Sequence, residues 1–423
     1  MANQGVPTKI LALAGVGSLA FPWDIIPEIC DIAAFAGSEI RLYEDDAKAR
    51  EECLAYAQGF GGPAHINFTA VRSLEEALAG ADYVVNASLP GGAAWIKIQR
   101  SLAASQGFGQ DSHLEESYQM AYMLYFSRLM KRYAPNAWLI QVTRPVSEAC
   151  KIAQREGLER VLGVGPSPAY LSQILEILRL DPASMVINTV GLNNFTWVTD
   201  FLFDGRNAAP LLNVWLDREG LAYAQRKKAG YDPFAAEKFA HFKTYGALPL
   251  GYAPGNGSND GNSRIYKLAD PQDACGAVRV KPRLMADNLR LCTMARNIAE
   301  IIQCLAFDSK GVFLATTRND GQALPAFPKK GFIECTALVG GGAVFPGKVH
   351  DLPPEVAIKF FLPYWGVGEA LADAVQAASE DLLLMNMTAD QLDGQAKGAK
   401  ELFDRWMAHP GNVYMKKLLT EGF

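Results

Sequence analysis

An α/β fold is what the sequence predicts, with a doubly wound, mostly parallel sheet in the N-terminal half and mixed α+β structure in the C-terminal half. Three observations carry it. A first apolar run, Ile10 to Ala14, feeds directly into Gly15-Val16-Gly17-Ser18-Leu19-Ala20. Short apolar runs then alternate with helical stretches as far as Leu178. Beyond that point strand-like segments are followed by grouped helices, a different rhythm.

Ile10 to Ala14 has the length of a buried strand, and the G-x-G-x-x-A that follows fits a phosphate-binding turn. In such a turn the first glycine makes the tight bend, the second lets backbone N–H groups approach a pyrophosphate, and a small third residue lets helix and strand pack closely. Gly15, Gly17 and Ala20 fill those places, with Ser18 and Leu19 as contacts between them. Glu39 to Tyr43 is a second strand ending in Glu44, where a carboxylate grips ribose hydroxyls about 20 residues beyond the turn. Asp45 and Asp46 crowd the same spot, so a 2′-phosphate would meet like charge and NAD is expected over NADP. The same acidic triplet also suits a solvated first turn of a helix.

Ala47 to Phe60 is helical, Ile66 to Val71 a short strand, and Leu74 to Leu78 helical again. Tyr83 to Asn86 and Trp138 to Val142 are buried-strand candidates that open onto Ser88-Leu89-Pro90-Gly91-Gly92 and Thr143-Arg144-Pro145. Ligands collect outside the carboxyl ends of strands in open sheets, so Asn86, Ser88 and Thr143 join the glycine turn as cofactor contacts. Between them lie a loop, Gln106 to Gln110, and a long helix, Leu114 to Tyr133, whose aromatic and methionine side chains are expected in the core. Val161 to Val164 is a strand, followed by the turn Gly165-Pro166-Ser167-Pro168 and the helix Ala169 to Leu178. A dinucleotide domain is expected over 1–194 and a substrate domain over 195–423, the division falling between Leu180 and Asn194. Around and beyond it, Val186 to Leu192, Trp197 to Phe203, Val312 to Thr317 and Phe332 to Ala337 are strands. Helices are expected around 211–226 and 233–242, along the apolar face Leu284, Leu291, Ala295, Ile298, Ile302, and from Glu355 onward with breaks at Pro363 and Pro410. Gly251 to Ser263 is too polar for a core and is expected to be a loop that is mobile or lines a site.

Composition narrows the function. A formal charge of -5 supplies no basic field for a nucleic acid backbone. The seven cysteines form no C-x-x-C pair, which excludes a zinc ribbon and points to a reducing, cytoplasmic setting. Met1 to Pro7 lacks a basic n-region, and no apolar stretch is long enough for a membrane span, so neither secretion nor a membrane partner is expected.

The landmarks, taken together, resemble glycoside hydrolase family 4. Their order is Gly15-Val16-Gly17-Ser18, Ala81-Asp82-Tyr83-Val84-Val85-Asn86, Gln141-Val142-Thr143-Arg144-Pro145 and Gly191-Leu192-Asn193-Asn194. Asn319-Asp320-Gly321 with Leu324-Pro325, Phe332-Ile333-Glu334, and Trp406-Met407-Ala408-His409-Pro410 continue the likeness across nearly the whole chain. The resemblance implies a Rossmann-type fold like that of the lactate and malate dehydrogenases, with bound NAD. It also implies an unusual hydrolysis: the sugar is oxidised at C3, which acidifies the C2 proton; a base removes it, the C1 substituent leaves, water adds, and the hydride returns. A homo-oligomer, dimer or tetramer, is expected on the same ground.

The departures from the family carry further expectations. Where the family has G-L-C-H and G-L-N-H, this chain has Gly163-Val164-Gly165-Pro166 and Gly191-Leu192-Asn193-Asn194, so both metal-ligating side chains are replaced and no catalytic metal is expected. The T-N-P stretch reads Thr143-Arg144-Pro145. Arg144 is therefore the group expected to do electrostatically what an ion does in the relatives, and its planar donor fork suits an anionic substrate group; otherwise it is a surface arginine in an ion pair. Asn193, Asn194, Lys281 and Arg283 are the other substrate contacts expected. Leu248-Pro249-Leu250-Gly251-Tyr252 resembles the P-x-x-Y segment of the 6-phospho-β-glucosidase branch, making Tyr252 the base, with Arg144, Lys281 or Arg283 as the cation that would activate a phenol. An arbitrary tyrosine is more often a packed ring. Gly109-Gln110-Asp111-Ser112-His113 occupies the G-Q-E-T stretch, leaving Asp111 and His113 as candidates for the acid.

The substrate expected is a small glycoside with an anionic C6 group. A sulfoquinovoside is favoured because the departures resemble a related family of NAD-dependent sulfoquinovosidases, and 6-phospho-glycosides and uronides stay open. Two alternatives remain: an NAD-dependent dehydrogenase of sugars or 2-hydroxy acids, and a degenerate homologue that binds without turnover.

Overall fold

The computed structural model describes residues 8–17, 21–60, 63–108, 113–165, 178–181, 184–192, 195–224, 235–251, 284–285, 290–291, 293–307, 309–321, 323–347, 352–388 and 396–423. They form two compact units. The first combines residues up to Gly163 with Gly366–Phe423, and the second is drawn from the residues between Val164 and Trp365. Where the sequence pattern divides the chain once, at residue 194, the first unit is thus discontinuous and includes the C-terminal helices.

The first unit is built on six parallel strands: β1 (Ile10–Ala14), β2 (Glu39–Tyr43), β3 (Asn67–Ala70), β4 (Tyr83–Asn86), β5 (Trp138–Gln141) and β6 (Val161–Gly163). Their spatial order is β3-β2-β1-β4-β5-β6, so the winding direction reverses between β1 and β4. β4 and β5 are buried at every residue, which is why they read as unbroken apolar runs rather than alternating ones. All six strands match the sequence expectation to within a residue or two.

The connecting helices are α1 (Phe21–Cys30), α2 (Ala47–Gln58), α3 (Leu74–Leu78), α4 (Gly92–Ser105), α5 (Leu114–Tyr133) and α6 (Val146–Arg155). The core expected along α5 is present: Tyr118, Met120, Tyr122, Met123 and Phe126 are all buried. The C-terminal helices Ala396–Ala408 and Val413–Thr420 dock on α4 and α5. Trp406 donates its indole N–H to Gln99 at 3.1 Å, the Tyr118 hydroxyl donates to the Gly411 carbonyl at 3.1 Å, and Tyr414 packs among Tyr118, Tyr122 and Tyr125.

The second unit is antiparallel. β7 (Met185–Leu192) and β8 (Phe195–Phe203) pair along their length, as do the strands Lys310–Arg318 and Phe332–Gly340, and the latter also pairs with β7. β9 (Leu248–Gly251) adds to β8. Val190, Trp197, Ile333 and Phe361 anchor one core and Met185, Leu212, Phe242 and Leu314 another.

Two expectations differ from what is seen. Leu284 and Leu291 are not on the helix they were assigned to; they lie in a short antiparallel pair, Leu284–Met285 with Arg290–Leu291. The helix starts only at Met294, because Thr293 is its N-cap and its hydroxyl accepts the Arg296 N–H at 3.1 Å. Nor does Pro363 break its helix. A π-helical stretch, Ala357–Phe361, runs into the helix Leu362–Gln376, and Pro363 sits in the first turn after the register change, where its missing N–H costs little. At Pro410 the expected break is present, between Ala408 and Val413.

Candidate functional site

The carboxyl ends of β1, β2, β4 and β5 are cross-tied into one rim. Gly15 N–H donates to the Tyr43 carbonyl at 2.9 Å, Ala87 N–H to the Ala14 carbonyl at 2.9 Å, and Val142 N–H to the Asn86 carbonyl at 3.1 Å. Gly15 has φ +88 and lies at the point where the winding reverses. A Cβ there would be 2.3 Å from the Ser88 Cα and 2.5 Å from the Ala87 carbonyl carbon. Only glycine fits that place. At Gly17 a Cβ would come within 2.6 Å of the Ala49 Cβ and 2.9 Å of the Glu44 Cγ. The glycines therefore let the turn pack directly against the β4 loop and the start of α2 at the switch point of the sheet, the place where open α/β sheets take a dinucleotide. Trp23 holds the turn from below by donating its indole N–H to the Val16 carbonyl at 2.7 Å.

The acidic triplet separates into different tasks. Glu44 accepts the Gly17 N–H at 2.8 Å and the Asp45 N–H at 3.0 Å, so its carboxylate faces the glycine turn. Asp45 accepts the Tyr43 hydroxyl, and burial followed by that carboxylate pushes the Tyr43 phenol above its usual range. Asp46 is the N-cap of α2, accepting from Lys48 N–H at 2.9 Å and Ala49 N–H at 3.3 Å. The bland alternative, a helix start, is thus true of Asp46, and Glu44 alone is turned to the glycine loop. Like-charge exclusion of a 2′-phosphate then rests mainly on Glu44.

Asn86, Ser88 and Thr143 are buried in one polar network at the β4 and β5 ends. Asn86 Nδ2 donates to Gln141 Oε1 at 2.9 Å, Gln141 Nε2 donates to the Thr143 carbonyl at 2.8 Å, and Ser88 N–H donates to Asn86 Oδ1 at 3.2 Å. Gln141, which the sequence reading passed over, is the hub that fixes the two loops together. Its signal was its place as the last, polar residue of an otherwise apolar strand.

Arg144 follows this network, joined to Pro145 by a cis bond at the start of α6. Its charge reaches Glu115 in the first turn of α5 and Glu148 in the first turn of α6. Arg144 is half-buried. His113 is the N-cap of α5, with φ 52, and is buried without a side-chain capping bond; its Nε2 has no hydrogen-bond partner among the described residues. The structure therefore brings His113, Glu115, Glu116 and Arg144 to one end of the sheet. Glu115 is spoken for by Arg100, at 3.1 and 3.3 Å. Ser18, Leu19, Asp111, Asn193, Asn194, Tyr252, Lys281 and Arg283 lie outside the described residues, as do the loop from Tyr252 to Ser263 and the helix expected over 169–177.

A parallel sheet with a glycine turn at its switch point and a carboxylate aimed into that turn defines a dinucleotide-binding α/β protein. Comparison with known proteins specifies it further: the chain belongs to the family 4 glycosyl hydrolases, matching that family's N-terminal model over residues 9–179 and its C-terminal domain model over 189–392. A 6-phospho-alpha-glucosidase of Leptotrichia buccalis is 22% identical over 93% of this chain and 96% of its own. An alpha-galacturonidase of Lachnoclostridium phytofermentans is 24% identical over 51% of each chain. Among solved structures, a Bacillus subtilis glucosidase superposes with a TM-score of 0.76 at 19% identity, covering 95% of this chain and 100% of that one. The 6-phospho-beta glucosidase of Thermotoga maritima, solved with manganese, NAD+ and glucose-6-phosphate, gives 0.73 at 14% identity, covering 94% and 97%. The dehydrogenase likeness expected from the sequence is present too: malate dehydrogenase from Plasmodium falciparum superposes with a TM-score of 0.51 at 12% identity, covering 93% of this chain and 98% of that one.

Proposed function

We propose that this chain is an NAD-dependent glycosidase that works without a catalytic metal on a glycoside carrying an anionic C6 group, a sulfoquinovoside before a 6-phospho-glycoside or a uronide. The observation that carries it is the arrangement of one rim, with the glycine turn and Glu44 at its cofactor end and Arg144 at the β5 end. The named relatives support an anionic C6: a phosphorylated sugar in one, a uronic acid in the other.

NAD fits the residues present, because the side-chain-free glycines let the turn close against the β4 loop at the switch point of the sheet, with the Glu44 carboxylate beside it where a ribose would lie. When bound it supplies reversible hydride acceptance at the sugar C3. Manganese, found in solved relatives, does not fit in the same way. Gly165 and Pro166 offer no donor side chain, and asparagine at 193 and 194 is a poor transition-metal ligand, so no step is assigned to an ion.

Arg144 holds the negative charge that develops on the sugar oxygens or sits on C6; its guanidinium stays charged at any working pH. Tyr252 takes the C2 proton, its phenol needing a cation nearby to ionise. Asp111 or His113 protonates the departing oxygen, and the Nε2 of buried His113, which has no partner among the described residues, favours the histidine. A dimer or tetramer in the cytoplasm belongs to the same proposal, and size-exclusion chromatography with light scattering tests the assembly; no helix among the described residues is long and apolar enough to cross a membrane. The activity test is incubation with an aryl sulfoquinovoside. Release of the aryl group without net NADH supports the glycosidase, whereas NADH accumulation at 340 nm makes the chain a dehydrogenase.

A further inference from the structure

Around Arg144 there is more carboxylate than one guanidinium needs. Glu115 is bonded to Arg100, but Glu148 has no basic side chain within hydrogen-bonding distance among the described residues and is buried. Every residue from Val146 to Ala153 on α6 is buried, so Glu148 cannot turn to solvent. Its carboxyl fills a space left open by a glycine: a Cβ on Gly368, in the helix Leu362–Gln376, would lie 2.3 Å from Glu148 Oε1. A side chain at 368 would evict the carboxyl, so the fold keeps room for it.

The charges facing Glu148 come from every side. Arg144 in the preceding loop and Lys151 on α6 favour its ionised form, and Glu116 on α5 opposes it. Glu369, next to Gly368, is engaged by Lys151 and Arg155. Burial outweighs these and holds Glu148 above the ordinary carboxylate range, and Glu148 in turn adds to the burial that raises the Cys150 thiol. A guanidinium cannot give up its proton, so an anion arriving at Arg144 would leave two negative groups against one positive in a buried place.

We propose that Glu148 is the positioning residue of Arg144: its carboxylate balances the guanidinium while the site is empty, and it becomes a carboxylic acid when an anionic substrate group takes the guanidinium over. The inference rests on Arg144 being the anion-binding residue of the function proposed above. The charges balance. The ligand brings one negative charge, Glu148 loses one by taking a proton from solvent, and Arg144 keeps its own.

Isothermal titration calorimetry of the full-length, NAD-saturated protein tests this, with sulfoquinovose and galacturonate as probes because neither anion titrates near neutral pH. Runs in buffers of different ionisation enthalpy count the protons. The wild type takes up protons on binding, and its affinity falls by up to about tenfold per pH unit between the titration points of the free and liganded forms. Glu148→Gln binds with no uptake and a flat pH profile. Gly368→Ala, which displaces the carboxyl without removing it, also loses the uptake and serves if the glutamine variant does not fold. Proton uptake unchanged in either variant, or absent from the wild type, overturns the proposal. Undiminished binding by Arg144→Gln, or no binding of either probe by the wild type, overturns instead the anion-binding role of Arg144 on which it rests.

Discussion

Replacing Gly15 with alanine probes the structural premise of the cofactor site, because the new methyl group meets backbone rather than side chain. Its Cβ would lie 2.3 Å from both the N and Cα of Ser88, against an ordinary carbon contact of about 3.5–4.0 Å. The strand ends of β1 and β4 would have to part by roughly an ångström at the switch point, where no rotamer change can help. The φ of +88 adds its own cost for any residue with a Cβ. Left-handed backbone costs about 1–2 kcal/mol and overpacking about 1–3 kcal/mol, a total of about 2–5 kcal/mol. Differential scanning fluorimetry should show a melting temperature lower by on the order of 5–10 °C, and NAD should give little of the stabilisation it gives the wild type. Gly17→Ala is the control. Its Cβ meets Ala49 Cβ, which moves only with α2, and the flexible Glu44 side chain, and no left-handed backbone is involved, so it should melt below the wild type but above Gly15→Ala and bind NAD more weakly through displacement of Glu44. Wild-type melting and wild-type NAD affinity in Gly15→Ala would refute the reasoning.

Further outcomes follow from the same geometry. Glu44→Gln should weaken NAD binding by about ten- to a hundredfold, the worth of about 1.5–3 kcal/mol for hydrogen bonds to a charged group, and should narrow the preference over NADP, both read by fluorescence titration. Asp46→Ala, one residue from Asp45, should instead cost about 1 kcal/mol of stability through loss of the α2 cap and leave NAD affinity unchanged in the same assay. Tyr252→Phe should keep NAD affinity but lose exchange of the sugar C2 hydrogen with deuterated solvent, followed by NMR; normal exchange removes Tyr252 from the mechanism. Glu148→Gln should raise stability progressively above the wild type as pH rises. The native carboxyl has a raised proton affinity, so its contribution is present at acid pH and is lost as the pH climbs through the native titration point, a trend that thermal melts across pH can follow.

The parallel sheet was legible because burial on both faces leaves its central strands β1 and β4 as short apolar runs punctuated by turn residues, while β2, nearer the edge, shows instead an alternation of buried and half-buried residues. Gly15, Gly17 and Glu44 were legible because a phosphate turn constrains residue type and spacing together. The division of labour among Glu44, Asp45 and Asp46 was not, since it depends on which backbone N–H each carboxylate can reach. Glu148 was invisible for a stronger reason: its significance comes from Gly368, far along the chain, and from the approach of α5 and α6. The docking of Ala396–Ala408 on α4 belongs to the same class, because an amphipathic helix declares that it has a partner without declaring which. At Thr293 a local signal was present and overridden in the reading by a longer apolar periodicity, although a single cap decides where that helix begins.

The most direct test of the account is the rate of aryl glycoside cleavage by protein stripped of nicotinamide, with NAD, manganese, or both restored. The account predicts no turnover without NAD, full turnover when NAD alone is returned, and no gain from manganese or loss to a chelator. Cleavage at full rate by the stripped protein, or a strict requirement for manganese, would contradict it.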